Sequence, residues 1–192
     1  MNRLFLFIAA LFLVSCSKYD PYLCTVSDIT LRNANDSGTG PVLDSTGPIP
    51  AQSYAMEIRY TMRITASEGH IVAGESGYAL QYKITTFNLT STTDFDNGHA
   101  AGASLNDLFL YGYAYNSGMR LSTQATIANG VTGQALFYGS PPLGVDMNKP
   151  WTSDFYLFLM KPPASLGPRT FILETAFSNN TRFTDTLSVI LR

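Results

Sequence analysis

From Tyr54 to Thr65, apolar and polar residues alternate without a break. Tyr54, Met56, Ile58, Tyr60, Met62 and Ile64 share one parity; Ala55, Glu57, Arg59, Thr61, Arg63 and Thr65 share the other. Successive side chains of a strand point to opposite faces. The run therefore predicts a strand with Met56, Ile58, Tyr60 and Met62 in a core and Glu57, Arg59 and Arg63 in water. The same period returns at Tyr78, Leu80, Tyr82 and Ile84. With a turn at Ser67-Glu68-Gly69, these two runs predict a long two-stranded meander. Ser27, Ile29 and Leu31 mark an earlier strand. Later strand-like runs cover 108–115, 134–138, 154–161, 169–177 and 183–191, the last with Phe183, Leu187, Val189 and Leu191 on one parity.

The stretches between the runs read as connections. Residues 33–50 are rich in Gly, Pro, Asn, Asp and Ser and predict a loop. Pro141-Pro142 and Pro162-Pro163 stop strands, because proline cannot donate to a ladder. Ser104 with Asp107 three positions on has capping-box-like spacing and predicts one short helix; a second helical turn is expected near residues 123–128. Eight strand-like runs without a long amphipathic helix predict an all-β chain, an antiparallel β-sandwich of immunoglobulin-like type with one short helix.

Composition agrees. Charged residues make up 14%, against about 25% in an average protein, and the aromatics are 12 Phe, 11 Tyr and 1 Trp, which favours strands. A formal charge of −2 argues against a nucleic-acid partner. Two cysteines and two histidines build neither a disulfide framework nor a metal site, and no metal or other cofactor is expected.

The N-terminus carries an address. Arg3 precedes an uncharged apolar run, residues 4–14, too short for the roughly 20 residues of a spanning helix and suited to a secretory signal. It ends in Leu13-Val14-Ser15-Cys16, which resembles the bacterial lipoprotein signal. The resemblance implies a signal helix and peptide over 1–15, acylation of Cys16 and a tether to residue 24, followed by a single domain over 25–192. The membrane is then a partner through Cys16. Ser17 in place of Asp implies the outer membrane, and Ser17-Lys18-Tyr19-Asp20 resembles short surface-export tags. Cleavage removes Arg3 and takes the formal charge from −2 to −3. Cys24, with no basic residue near it in sequence, reads as an unreactive small hydrophobe at the base of the first strand.

Several motifs resemble sites and fall short of them. Asp94-Phe95-Asp96-Asn97-Gly98 has the alternating acids of a calcium loop, but Gly98 and Leu105 stand where further ligands are needed, so it reads as a turn. Asp44-Ser45-Thr46-Gly47 has its Gly one residue late for an aspartic-protease triplet. His70 and His99, in Gly-rich loops, read as solvated or satisfied side chains that could pair with acids. Phe109, Tyr111, Tyr113 and Tyr115 fall on one strand face, which reads as half of the core rather than a stacking platform. Trp151, between Pro150 and Thr152, is expected in a loop, exposed, and is the first candidate for ligand contact, with His99 and Asp94 as neighbours.

Residues 83–90, Asp94-Phe95-Asp96 and 101–109 are similar to a family of uncharacterised Bacteroidetes lipoproteins of about 200 residues. That resemblance implies the address and the single domain, and assigns no activity. The function expected from these features is a non-enzymatic binding, adhesive or structural module of the envelope, recognising a glycan or an envelope protein with loops far from Cys16. The alternative is an envelope hydrolase using loop carboxylates such as Asp94, Asp96 and Glu68.

Overall fold

A computed structural model of the chain describes residues 22–44, 47–66, 78–114, 120–121 and 149–192. The expected signal over residues 1–15, Cys16, Glu68, His70, Tyr115, the 134–138 run and the turn expected near 123–128 lie outside the described residues.

The alternating runs become strands. In chain order they are β1 (Tyr22–Asn35), β2 (Val42–Leu43), β3 (Tyr54–Ala66), β4 (Tyr78–Leu80), β5 (Ile84–Ser91), β6 (Phe109–Ala114), β7 (Arg120–Leu121), β8 (Trp151–Leu159), β9 (Gly167–Phe177) and β10 (Arg182–Leu191). Two sheets result, one in the order β2-β1-β3-β8-β6-β7 with β4 also on β1, the other β10-β9-β5. Pairing is antiparallel throughout except that β4 lies parallel to β1. The chain is an all-β sandwich, as the periodicity predicts.

The parity of β3 places Tyr54, Met56, Ile58, Tyr60 and Met62 in the core, each fully buried. Opposite them, Phe87 and Leu89 of β5 and Phe171, Leu173 and Phe177 of β9 close the second sheet's inner face. Rings join the layers: Tyr54 stacks on Phe171 at 5.6 Å, Phe109 meets the same ring edge-on at 6.0 Å, and Phe87 lies 6.3 Å from Phe155. Each such pair contributes about 0.5–1.5 kcal/mol beyond its buried area. In β1 a bulge between Val26 and Asp28 switches the inward parity. Cys24 and Val26 therefore pack inward before it, Ile29 and Leu31 after it, and Ser27 is exposed.

The expected meander of the β3 run with residues 78–84 does not form. The partners of β3 are β1 and β8, while β4 adds to β1 and β5 belongs to the other sheet. Alternation specifies which face is buried and is silent on the neighbour; a break at 81–83, where Gln81 donates its backbone N–H to the Cys24 carbonyl, lets the chain change layers.

The short helix is a single 3-10 turn, Asn106–Leu108. Its Asn106 plugs the open edge of β5. The side-chain carbonyl accepts the Leu89 N–H at 3.0 Å, and the amide nitrogen donates to the Phe87 carbonyl at 2.7 Å, as a neighbouring strand would. On the other open side, Asp185 of β10 accepts the Leu31 N–H of β1 at 2.7 Å.

Register fixes the two ends. Tyr22, Ala66, Trp151 and Phe177 lie toward the N-terminal end, whereas Asn35, Tyr54, Leu159, Phe109, Ser91 and Gly167 lie toward the other. With about 3.3 Å per strand residue, the 13 residues of β3 separate these ends by about 40 Å.

Candidate functional site

The connections 36–44, 47–53, 92–108 and 160–166 converge at the end far from Tyr22. Between β5 and β6, the chain turns back on itself as Phe95 N–H bonds to the His99 carbonyl and His99 N–H to the Asp96 carbonyl, at 2.8 and 3.1 Å. Phe95 anchors this turn by burying its ring 6.4 Å from Phe171. Behind it sits the buried guanidinium of Arg169, 5.8 Å from the Phe95 centroid. Arg169 donates to Thr93 Oγ1, the Asp94 carbonyl, and the carbonyl and hydroxyl of Ser165. One side chain thereby ties the 92–96 loop to the 162–166 loop.

On the outer side lies an ionic cluster. Asp96 Oδ1 is 2.7 Å from His99 Nδ1, and its Oδ2 is 2.9 Å from Lys161 Nζ; Asp107 Oδ2 is 3.2 Å from His99 Nε2. Gly98 N–H donates to Asp96 Oδ1 at 2.9 Å. The hydrogen bond from His99, then those from Lys161 and Gly98, hold the Asp96 carboxyl well below the usual carboxylate range. The bond to Asp96 raises the His99 imidazole above its ordinary value, with Asp107 adding to it. Asp96, Asn97, Gly98, His99, Lys161, Pro162 and Ala164 line an open depression of about 350 Å³. Asp94 turns its carboxylate into the loop, accepting the Ala101 N–H at 2.8 Å. Asp94 and Asp96 are thus engaged in building the turn, as its reading as a turn requires. Among the described residues no group of three or more His, Cys, Asp or Glu side chains is arranged to hold a metal.

The expected neighbourhood of Trp151, His99 and Asp94 is divided. His99 and Asp94 share the far end; Trp151 pairs with Met62 near the N-terminal end, within β8 rather than in a loop, and packs half-buried against the core. Pro150 ends no strand here; it precedes one. Phe109 and Tyr111 are buried, as the core reading of the aromatic stripe requires.

Glu57 corrects a second expectation. It lies on the outward face of β3, yet only 2% of it is exposed. Its carboxylate accepts from Arg32 Nε and, at 3.1 Å, from the Tyr156 hydroxyl, while Arg59 beside it forms a bidentate pair with Asp154 at 2.7 and 2.8 Å. Burial and the nearby Glu57 push the Tyr156 hydroxyl up to about 12. Arg32, Glu57 and Tyr156 are opposite one another across β1, β3 and β8, so cross-strand partners replace water around the acid. Arg63 is exposed, as expected.

One feature of the far end has no counterpart in the sequence reading. The exposed large hydrophobic residues among those described are Val42, Leu43, Met160, Leu166 and Ile190. All five belong to connections or strand termini at this end, and all are aliphatic. No aromatic side chain whose exposure is described is exposed. At the opposite end Cys24, Leu80, Tyr82 and Phe177 line a cavity of about 20 Å³, room for about one water, and burial pushes the Cys24 thiol up to about 12. Comparisons with protein-family models, with curated proteins and with solved structures find no match to this chain.

Proposed function

We propose that the chain is a lipid-anchored lipoprotein of the outer membrane or cell surface, and that its sandwich is a non-enzymatic binding module whose far end docks a protein of the envelope. The lipoprotein-like Leu13 to Cys16 supports the anchor, and resemblance to Bacteroidetes lipoproteins agrees with it. The fold is read as immunoglobulin-like because β1-β3-β8-β6 against β10-β9-β5 follows the A-B-E-D and G-F-C order of constant-type domains.

The observation that carries the docking surface is that, among the described residues, the exposed large hydrophobics Val42, Leu43, Met160, Leu166 and Ile190 all lie at the end opposite Tyr22. Scattered apolar residues need no explanation; their collection at the end that also carries an ionic cluster fits an interface with a polar component. A protein partner fits better than a glycan, because sugars stack on exposed rings and this end offers aliphatic side chains. No observation favours the hydrolase alternative: the Asp94 carboxylate accepts from its own loop, and the Asp96 carboxylate is taken up by His99 and Lys161.

The test is a photo-crosslinking residue placed at Leu166 or at Thr152 in intact cells. Leu166 is expected to give a discrete protein adduct and Thr152 none, with the adduct lost in Met160→Glu. Adducts at Thr152 alone would move the interface to the other end. Mass spectrometry of the membrane fraction is expected to find Cys16 as an acylated N-terminus; an unmodified N-terminus elsewhere would remove the anchor.

A further inference from the structure

His99 is held by a carboxylate at each ring nitrogen, Asp96 at Nδ1 and Asp107 at Nε2. A neutral imidazole has one N–H and one lone pair, so it can satisfy only one of these acids. The imidazolium satisfies both. The two contacts are unequal: the Asp96 side chain is 10% exposed and is also held by Gly98 and Lys161, while that of Asp107 is 58% exposed and its contact is longer. When one proton leaves, the remaining one stays on Nδ1 facing Asp96. The Nε2 lone pair then faces the Asp107 carboxylate, and the contact becomes repulsive.

The two acids sit on separately anchored pieces. Asp96 belongs to the turn pinned by Phe95. Asp107 belongs to the 3-10 turn, which is fixed to β5 through Asn106 and the Leu105 N–H to Leu89 carbonyl bond. We propose that His99 is a proton-operated clasp between these pieces, closed when both ring nitrogens carry hydrogen and released at Asp107 when one proton is lost. The charged groups around it are Asp96 and Asp107, with Lys161 reaching Asp96 from the 160–166 connection; Arg169 of β9 lies behind the Phe95 ring. Because His99 and Asp96 also line the depression, the clasp alters the wall of that depression and leaves an unpaired carboxylate beside it. Its meaning as regulation rests on the far end being the docking surface, whereas the clasp itself does not.

The test is imidazole and amide NMR of the ¹⁵N-labelled full chain, with His99 distinguished from His70 by His99→Gln. At low pH both His99 ring N–H groups are expected to be protected from solvent exchange. As pH rises, the Nε2 hydrogen is expected to disappear with a midpoint above the ordinary value of about 6.5, and amides 106–108 to shift with the same midpoint. In Asp107→Asn the amide side chain can accept from Nε2–H or donate to the Nε2 lone pair. Amides 106–108 are then expected to stop following the titration while those of β1 keep their positions, which reports intact folding. Amides 106–108 indifferent to the His99 titration in the wild type, or still following it unchanged in Asp107→Asn, would overturn the clasp. A failed crosslink at Leu166 with these shifts intact would remove the docking surface and leave the clasp standing.

Discussion

In their described residues, the two ends of the sandwich differ. Toward Tyr22, among the described residues, Cys24, Val26, Leu80, Tyr82 and Trp151 lie against the core. At the far end the same core is capped by ionic and hydrogen-bonded loops, with Arg169 beneath them and aliphatic residues left exposed above. The first arrangement buries these apolar side chains. The second holds polar groups in fixed positions at the surface, which is the requirement of recognition.

The core under the far end gives the largest expected effect. Phe171 touches Tyr54, Phe95 and Phe109, and Phe171→Ala is expected to cost about 3–5 kcal/mol in denaturant unfolding. Ile58→Ala, in mid-sheet and fully buried, is expected to cost about 2–5 kcal/mol; a loss below about 1 kcal/mol at either site would mean that the layers are not packed as described. Next comes Arg169→Met, which leaves the Asp94 and Ser165 carbonyls without their donor and is expected to cost about 1–3 kcal/mol. Hydrogen exchange should then speed up in 93–99 and 162–166 while 22–26 is unchanged. Equal acceleration at both ends would erase the distinction between them.

A pH series sharpens the same contrast. The lowered Asp96 carboxyl contributes stability that is present above the ordinary value of about 3.9 and lost as pH falls through its folded value; the raised His99 contributes below about 6.5 and is lost as pH rises through its folded value. The pair therefore stabilises most between about pH 4 and 6.5. The difference in urea midpoint between wild type and Asp96→Asn is expected to peak at pH 5.5 and shrink at pH 8, and an unchanged difference would uncouple the two groups. The smallest effect belongs to Leu166→Ser, within about 0.5 kcal/mol of wild type because the side chain is exposed.

How much of this was legible in the sequence follows from the range of each interaction. Alternation from Tyr54 to Ile64 showed the strand and its buried face, since period two is a property of the backbone itself. It could not show that Glu57 is buried, because Arg32 and Tyr156 arrive from 25 and 99 residues away. It could not pair the β3 run with its neighbours for the same reason. Asp94 to His99 was readable as a polar turn, but Lys161, 65 residues from Asp96, joins it only when β8 brings the 160–166 connection across. Trp151 was misplaced by its neighbour Pro150, a strand stop in other settings and here the residue before a strand begins.

Asn106 has a consequence for the protein at high local concentration. An open strand edge is a template on which a second chain can add, and repetition of that step gives fibrils. β5 would offer such an edge along Phe87 to Leu89, but the Asn106 amide already occupies both backbone groups there. One short side chain thus does the work usually left to charged residues or proline, and neighbouring copies find no register in which to polymerise along β5 at this point.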